Sequence, residues 1–196
     1  DVQMQTDRAR FRRNIERIGQ VAAYEISKHL MYVDADIQTP LAPARTTALS
    51  SQPVLATRLR AGLPRYQGRL SYFDDADSAF IGAYRKHSAD GSFGIDQGYM
   101  ACPPLAGRAL ILADPMLATG ASMVQALDTL VEFDQPSQMH IVSVVASPEG
   151  IETIARHFPS AHIWAAAIDE GLNTAKYIMP GLGDAGDLCF GEKRQH

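Results

Sequence analysis

The stretch Arg108–Leu130, RALILADPMLATGASMVQALDTL, decides the fold. It opens on Ala109-Leu110-Ile111-Leu112-Ala113, an apolar run with the length and character of a buried strand. Asp114-Pro115 stops that strand, because proline cannot donate to a ladder and biases its predecessor away from helix. Thr119-Gly120-Ala121-Ser122 supplies small residues, after which Met123, Val124, Leu127, Leu130 and Val131 recur at the spacing of one helix face. Strand, tight small-residue loop and helix N-terminus follow one another, so loop amides and helix dipole converge on a negatively charged group. Ordinary strand-to-helix turns share this geometry. Asp114 is what sets this one apart, since a carboxylate beside a phosphate cradle is repelled unless it has hydroxyls or a metal to bind. Sugar hydroxyls between a phosphate and a pyrophosphate would suit it. There is no GxxxxGK[ST] pattern and no lysine in the loop, which excludes a P-loop nucleoside triphosphatase.

The rest of the 196 residues fits around this unit as a single domain with a sizeable core. A net charge of −4 gives no electrostatic case for binding nucleic acid. Cys102 and Cys189 lie far apart, without CxxC or metal-ligand spacing, and read as reduced thiols of a cytoplasmic protein. No apolar run approaches ~20 residues, so neither a transmembrane helix nor a membrane partner is expected. No signal peptide is visible, although the sequence begins at Asp1 without a methionine.

Thr6-Asp7 can cap a helix reaching about Leu30, with Phe11, Ile15, Ile18, Ala22 and Ile26 as its apolar face. Arg8, Arg10, Arg12, Arg13 and Arg17 on the same segment read as a solvated face, because acids interrupt them and no aromatics interleave. Val33–Gln38 alternates like a strand, and Arg45–Leu49 reads as its return. Val54–Leu59 is a strand leading into Arg60-Ala61-Gly62, a small-residue bend whose arginine offers a planar donor fork to an oxyanion. On local grounds a plain surface arginine remains open there. A helix from Leu63 to about Phe73 precedes a strand from Ser78 to Tyr84 that ends at Arg85. Lys86–Gly107, rich in Gly, Ser, Asp and Pro, reads as a long loop and a candidate lid.

Met139–Ser147 is a strand, Pro148-Glu149 fits the first turn of a helix to about His157, and Ala161–Ala167 is a further strand. Trp164 is expected in the core or at an interface. His140, His157 and His162 lack metal spacing and read as solvated or satisfied. The alternation of strands and helices argues for a parallel sheet with right-handed crossovers. Gly181–Gly186 matches GxGxxG, but the dinucleotide fingerprint needs a helix and a second strand beyond it, and ten residues follow Gly186. Those glycines more simply let backbone approach a flat ligand.

DPMLATGAS resembles the phosphoribosyl-pyrophosphate loop of the phosphoribosyltransferases, in the version found in uracil phosphoribosyltransferases. Ala167–Asn173 (AIDEGLN) and Tyr177–Gly191 (YIMPGLGDAGDLCFG) agree, in the right order. The resemblance covers most of the chain and is loose between about Met31 and Gly107. It implies an α/β fold of the type I phosphoribosyltransferase kind, a twisted, mainly parallel sheet flanked by helices. One domain would span residues 1–196, with a β-arm used in subunit contacts and a base-binding hood at about residues 168–191. It also implies transfer of phosphoribosyl from phosphoribosyl pyrophosphate to uracil, with Mg²⁺ bound through the substrate and a homodimer or higher homo-oligomer.

By the same resemblance, Asp114, Arg60 and Arg85 are the catalytic candidates. Phosphoribosyl pyrophosphate would be bound by these three together with Pro115, Met116, Leu117, Ala118, Thr119, Gly120, Ala121, Ser122 and Asp184. Uracil would be bound by Ile178, Gly183, Asp184 and Ala185, with Asp184 reaching the metal shell through water. The chain departs from the family pattern at Thr57 and Arg58, in place of proline and an aliphatic residue, and at Gln67, in place of aspartate. These departures and the unusual Lys86–Gly107 sequence are what would support an alternative, a catalytically silent pyrimidine-nucleotide sensor. An RNA-binding regulator would need a basic face that the composition does not supply.

Overall fold

Ala109–Ala113 is buried at every position and stands in the middle of the sheet, which is why it is apolar throughout instead of alternating. The computed structural model describes residues 7–87 and 93–192, with side chains for all of these except 83–87 and 93–98. In chain order the elements are α1 (Arg8–Ser27), β1 (Tyr32–Gln38), β2 (Pro43–Leu49), β3 (Val54–Arg58), α2 (Leu63–Leu70), β4 (Asp77–His87), β5 (Phe93–Ala101) and β6 (Ala109–Ala113). Then follow β7 (Met116–Leu117), α3 (Ala121–Phe133), β8 (Gln138–Ala146), α4 (Pro148–His157), β9 (His162–Ile168), β10 (Gly171–Leu172), β11 (Ile178–Met179) and α5 (Ala185–Phe190).

The main sheet runs β5-β4-β3-β6-β8, with β9 and β7 both paired to β8. All its pairings are parallel except β4 with β5. The chain lays down β3 and β4 in one direction and then returns to place β6, β8 and β9 on the other side. The topological switch therefore falls between β3 and β6, and ligands of open α/β sheets collect at the carboxyl ends beside such a point.

Alternation along the central strands feeds two cores. Leu110 and Leu112 pack with Met123, Leu127 and Leu130 of α3 and Ile154 of α4. Ala109, Ile111 and Ala113 face the other way, toward Ala23 and Ile26 of α1 and Tyr66 of α2. Each large apolar side chain so enclosed contributes about 1.5–3 kcal/mol. A third core joins Phe11 and Ile15 of α1 to Val144 and Val145 of β8 and to Ile178, Leu182, Ala185 and Cys189. That third core anchors the C-terminal segment. Both cysteines are free thiols.

Asp7 caps α1 as expected, accepting from the amides of Ala9 and Arg10. Arg12 is not simply solvated: its Nη1 donates to the Cys189 carbonyl at 2.6 Å, tying α1 to the C-terminal segment. The arm is present as the antiparallel pair β1–β2, separate from the main sheet and mostly exposed, with Leu41 96% exposed at its turn. The long loop expected at Lys86–Gly107 is corrected. Residues 93–101 form β5, whose antiparallel ladder with β4 supplies the backbone partners that composition alone did not promise. Loop structure is confined, among the described residues, to the approach to β6. Among those residues no helix is long and apolar enough to cross a membrane.

Candidate active site

Asp114 stands directly after β6, where its amide still donates to Val142 O. Pro115 breaks the ladder, and its carbonyl accepts instead from the amides of Val144 and Val145. The chain does not go straight into a loop, as the small residues imply, but makes the short strand β7 against β8 first. Ala118, Thr119 and Gly120 then turn into α3. Gly120 is its N-cap with φ +79°, a left-handed conformation open to glycine. A Cβ there would sit 2.9 Å from Thr153 Cβ and 3.0 Å from Gly150 O, so the loop rests directly on α4. No side chain of Gly120 blocks the helix start, and the Thr119 hydroxyl accepts from the Ala121 amide at 3.3 Å. This is an N-terminus open to an anion.

Ser147 holds the loop from behind. Fully buried at the N-cap of α4, its hydroxyl donates to Ala118 O at 2.6 Å and accepts from the Gly150 amide at 3.0 Å. One side chain thus fixes both the turn before α3 and the neighbouring helix.

Across the switch point, β3 ends at Arg58, and the turn through Arg60-Ala61-Gly62 leads into α2. The Leu59–Arg60 peptide is cis. Arg58 Nη1 lies 2.6 Å from Asp114 Oδ2. Arg60 reaches the other way, its Nη2 donating to Asp187 Oδ1 at 2.7 Å and to Gly191 O at 2.9 Å. The expected pyrophosphate arginine is therefore latched to the C-terminal segment. Arg85 lies within β4 and not at its end, opposite Ile95. Its side chain lies outside the described residues.

Two charged residues that sequence reasoning did not single out lie beneath this turn. Arg65 and Arg69 of α2 are 1% and 0% exposed. Arg69 donates to Ile111 O at 3.2 Å and Ala56 O at 3.4 Å, bridging β6 and β3, and Arg65 Nη1 is 3.5 Å from Asp114 O. Burial pushes both guanidinium groups down to about 9, which leaves them cationic at neutral pH. A signal existed: Arg69 falls on the stripe of Tyr66 and Phe73 that marks the buried face. Thr57 is buried and Gln67 exposed.

The hood is built by β10 and β11, an antiparallel pair continued by a cis Met179–Pro180 bond and the glycine turn. Asp169 Oδ2 accepts from the Gly181 amide at 2.9 Å, and the Asn173 side chain accepts from the amides of Ala175 and Tyr177. Of the expected base-binding positions, the Ile178 and Ala185 side chains are in the third core, so only their main chain is available to a ligand. Gly183 has φ +80°, and a Cβ there would meet nothing within 4 Å, so space lies open where a side chain would be. Asp184 is exposed and caps α5, accepting from Asp187 N at 3.0 Å. Helix α5 begins within the GxGxxG residues, at Ala185, and is six residues long, with no strand after it among the described residues.

Residues 3–192 match the family model described as uracil phosphoribosyltransferase. A uracil phosphoribosyltransferase of Porphyromonas gingivalis W83 is 47% identical over 194 residues, covering 98% of this chain and 90% of the relative. One from Methanococcus maripaludis C7 is 38% identical, covering 95% and 81% respectively. Among solved structures, the AQ2163 protein of Aquifex aeolicus superposes with a TM-score of 0.85 at 29% identity, over 96% of this chain and 89% of that one. A purine phosphoribosyltransferase from Pyrococcus horikoshii shares the fold alone, at TM-score 0.53 and 11% identity over 80% of this chain and 83% of that one. On this evidence the chain belongs to the uracil phosphoribosyltransferase family.

Proposed function

We propose that this chain transfers the phosphoribosyl group of phosphoribosyl pyrophosphate to uracil, forming UMP and pyrophosphate. The observation that carries the reading is the meeting, at the carboxyl ends of β3 and β6, of three parts. These are the Asp114–Ser122 loop opening α3, the Arg58–Gly62 turn, and a hood latched to that turn through Arg60 and Asp187.

The reaction is substitution at the anomeric carbon. The bond to pyrophosphate breaks, positive charge develops on the ribose, and a uracil ring nitrogen forms the new bond while its proton leaves to the departing pyrophosphate or to solvent. No covalent nucleophile is required, so the protein's work is positioning and electrostatics. The amides of Ala118–Ser122 and the hydroxyls of Thr119 and Ser122 receive the 5′-phosphate, while Pro115, Met116 and Leu117 set the height of the turn. Asp114 accepts from the ribose hydroxyls and favours positive charge on the ring. Arg85 receives the leaving pyrophosphate, as does Arg60 once its guanidinium turns from Asp187 and Gly191 O. Main-chain groups of Ile178, Gly183, Asp184 and Ala185 read the uracil edge, and the open face of Gly183 admits a flat ring.

Mg²⁺ fits this arrangement as a passenger of the substrate. Its oxygens would come from pyrophosphate, and the exposed Asp184 carboxylate would reach it through water. When bound there it would supply charge neutralisation of the leaving group. A second copy of the chain is the natural partner for the arm, whose exposed Tyr32, Val33, Ile37 and Leu41 are apolar. Incubation with uracil, phosphoribosyl pyrophosphate and Mg²⁺, followed by chromatography, should yield UMP and pyrophosphate in equal amounts. Absence of UMP from folded protein would overturn the assignment.

A further inference from the structure

We propose that Arg58 is an exchanged binding residue: it neutralises Asp114 in the free protein and passes to the pyrophosphate group when the ribose hydroxyls take Asp114. This rests on the activity proposed above. Arg58 stands at the carboxyl end of β3 and Asp114 at that of β6, facing each other across the switch point. The Nη1–Oδ2 distance is 2.6 Å, and the side chains are 22% and 17% exposed, so the pair is largely but not wholly shielded from water.

Such a pair is a charge-assisted hydrogen bond, and neutral sugar hydroxyls are the weaker donors. Hydroxyls alone therefore compete poorly for Asp114. The exchange becomes favourable when a stronger anion arrives to receive the guanidinium. Arg58 is two residues from Arg60, in the turn assigned to pyrophosphate, so a modest swing of its long side chain keeps it at the site. Arg60 is held on the other side by Asp187 and Gly191 O, which leaves Arg58 as the arginine of this turn facing Asp114. Arg65, whose guanidinium lies under the Asp114 carbonyl, limits the cost of uncovering the carboxylate. The consequence is a two-part requirement. Ribose hydroxyls and pyrophosphate each help the other to bind, although both ligands carry negative charge and would otherwise repel.

The test is calorimetric, with ribose 5-phosphate and pyrophosphate as separate probes, in EDTA so that no divalent cation bridges them. In the wild type, saturating pyrophosphate should tighten ribose 5-phosphate about fivefold or more, with the reciprocal effect of the same size. Arg58→Leu should abolish that coupling, tighten ribose 5-phosphate alone and weaken pyrophosphate alone. Arg58→Lys should retain part of the coupling. Independent or antagonistic binding in the wild type overturns the exchange, whatever the variants do. So does an Arg58→Leu protein that keeps the coupling, or one that is folded by its melting curve and loses affinity for both probes. A wild type that makes UMP yet shows no coupling sinks only this proposal, whereas one that makes no UMP and binds neither probe sinks the activity as well.

Discussion

Removing the Ser147 hydroxyl should damage both stability and substrate affinity, though Ser147 is fully buried behind the loop rather than in the cleft. In Ser147→Ala the Gly150 amide loses its cap, which costs about 1 kcal/mol. The Ala118 carbonyl loses a 2.6 Å donor, for about 1 kcal/mol more. The sum of about 2 kcal/mol corresponds, for a chain of this length, to a fall in Tm of about 4–8 °C. Ala118 is the first residue of the turn proposed to meet the 5′-phosphate, so its release should also loosen the amide array. The KM for phosphoribosyl pyrophosphate should rise about fivefold while that for uracil changes little. Thermal unfolding and steady-state kinetics read the two effects. A Tm within 1 °C of wild type together with an unchanged KM would refute the claim that Ser147 braces the loop.

Two further outcomes follow from other parts of the molecule. His140 is buried, accepts from Trp164 Nε1 at 3.1 Å, and stacks on His162; burial first, then the charges of His162 and His29, lower its pKa from 6.5 to about 4. The unfolded chain therefore takes up the proton first as pH falls, so the fold should lose stability between about pH 6.5 and 4, and Tm against pH should be flatter in His140→Gln; equal slopes in the two proteins would contradict this. Main-chain groups at Ile178 and Gly183–Ala185 have fixed polarity, so calorimetry in the presence of ribose 5-phosphate should find uracil bound and cytosine rejected, since a site built for one edge pattern leaves polar groups unpaired against its inverse; equal affinities would remove the hood from base recognition.

The parts of this fold that were legible in the sequence are those governed by local pattern. Asp7 as a cap, the unbroken apolar run of β6, the helical spacing after Gly120 and the proline opening α4 each carry their signal within a few residues. What was missed depends on partners remote in sequence. β5 is composed like a loop and is a strand because β4 offers it a ladder. β7 is too short to have a period, and exists because β8 continues past the break at Pro115. The site shows the same division. The turn from Asp114 to Ser122 into α3 could be read from nine consecutive residues, but the pairing of Arg58 with Asp114, and of Arg60 with Asp187, joins segments far apart in the chain. Nothing local in α2 announced that Arg65 would be buried, and only its stripe marked Arg69.

Asp114, presented by β6 beside the α3 N-terminus, is the residue proposed to support a cationic ribose while uracil replaces pyrophosphate. The most direct measurement is the rate of UMP formation by wild type and Asp114→Asn side by side, with melting curves for both. Wild type should form UMP. The folded variant should lose about 1.5–3 kcal/mol of transition-state stabilisation, a fall in kcat/KM of roughly ten- to a hundredfold. Turnover by Asp114→Asn within a factor of about two of wild type would contradict it.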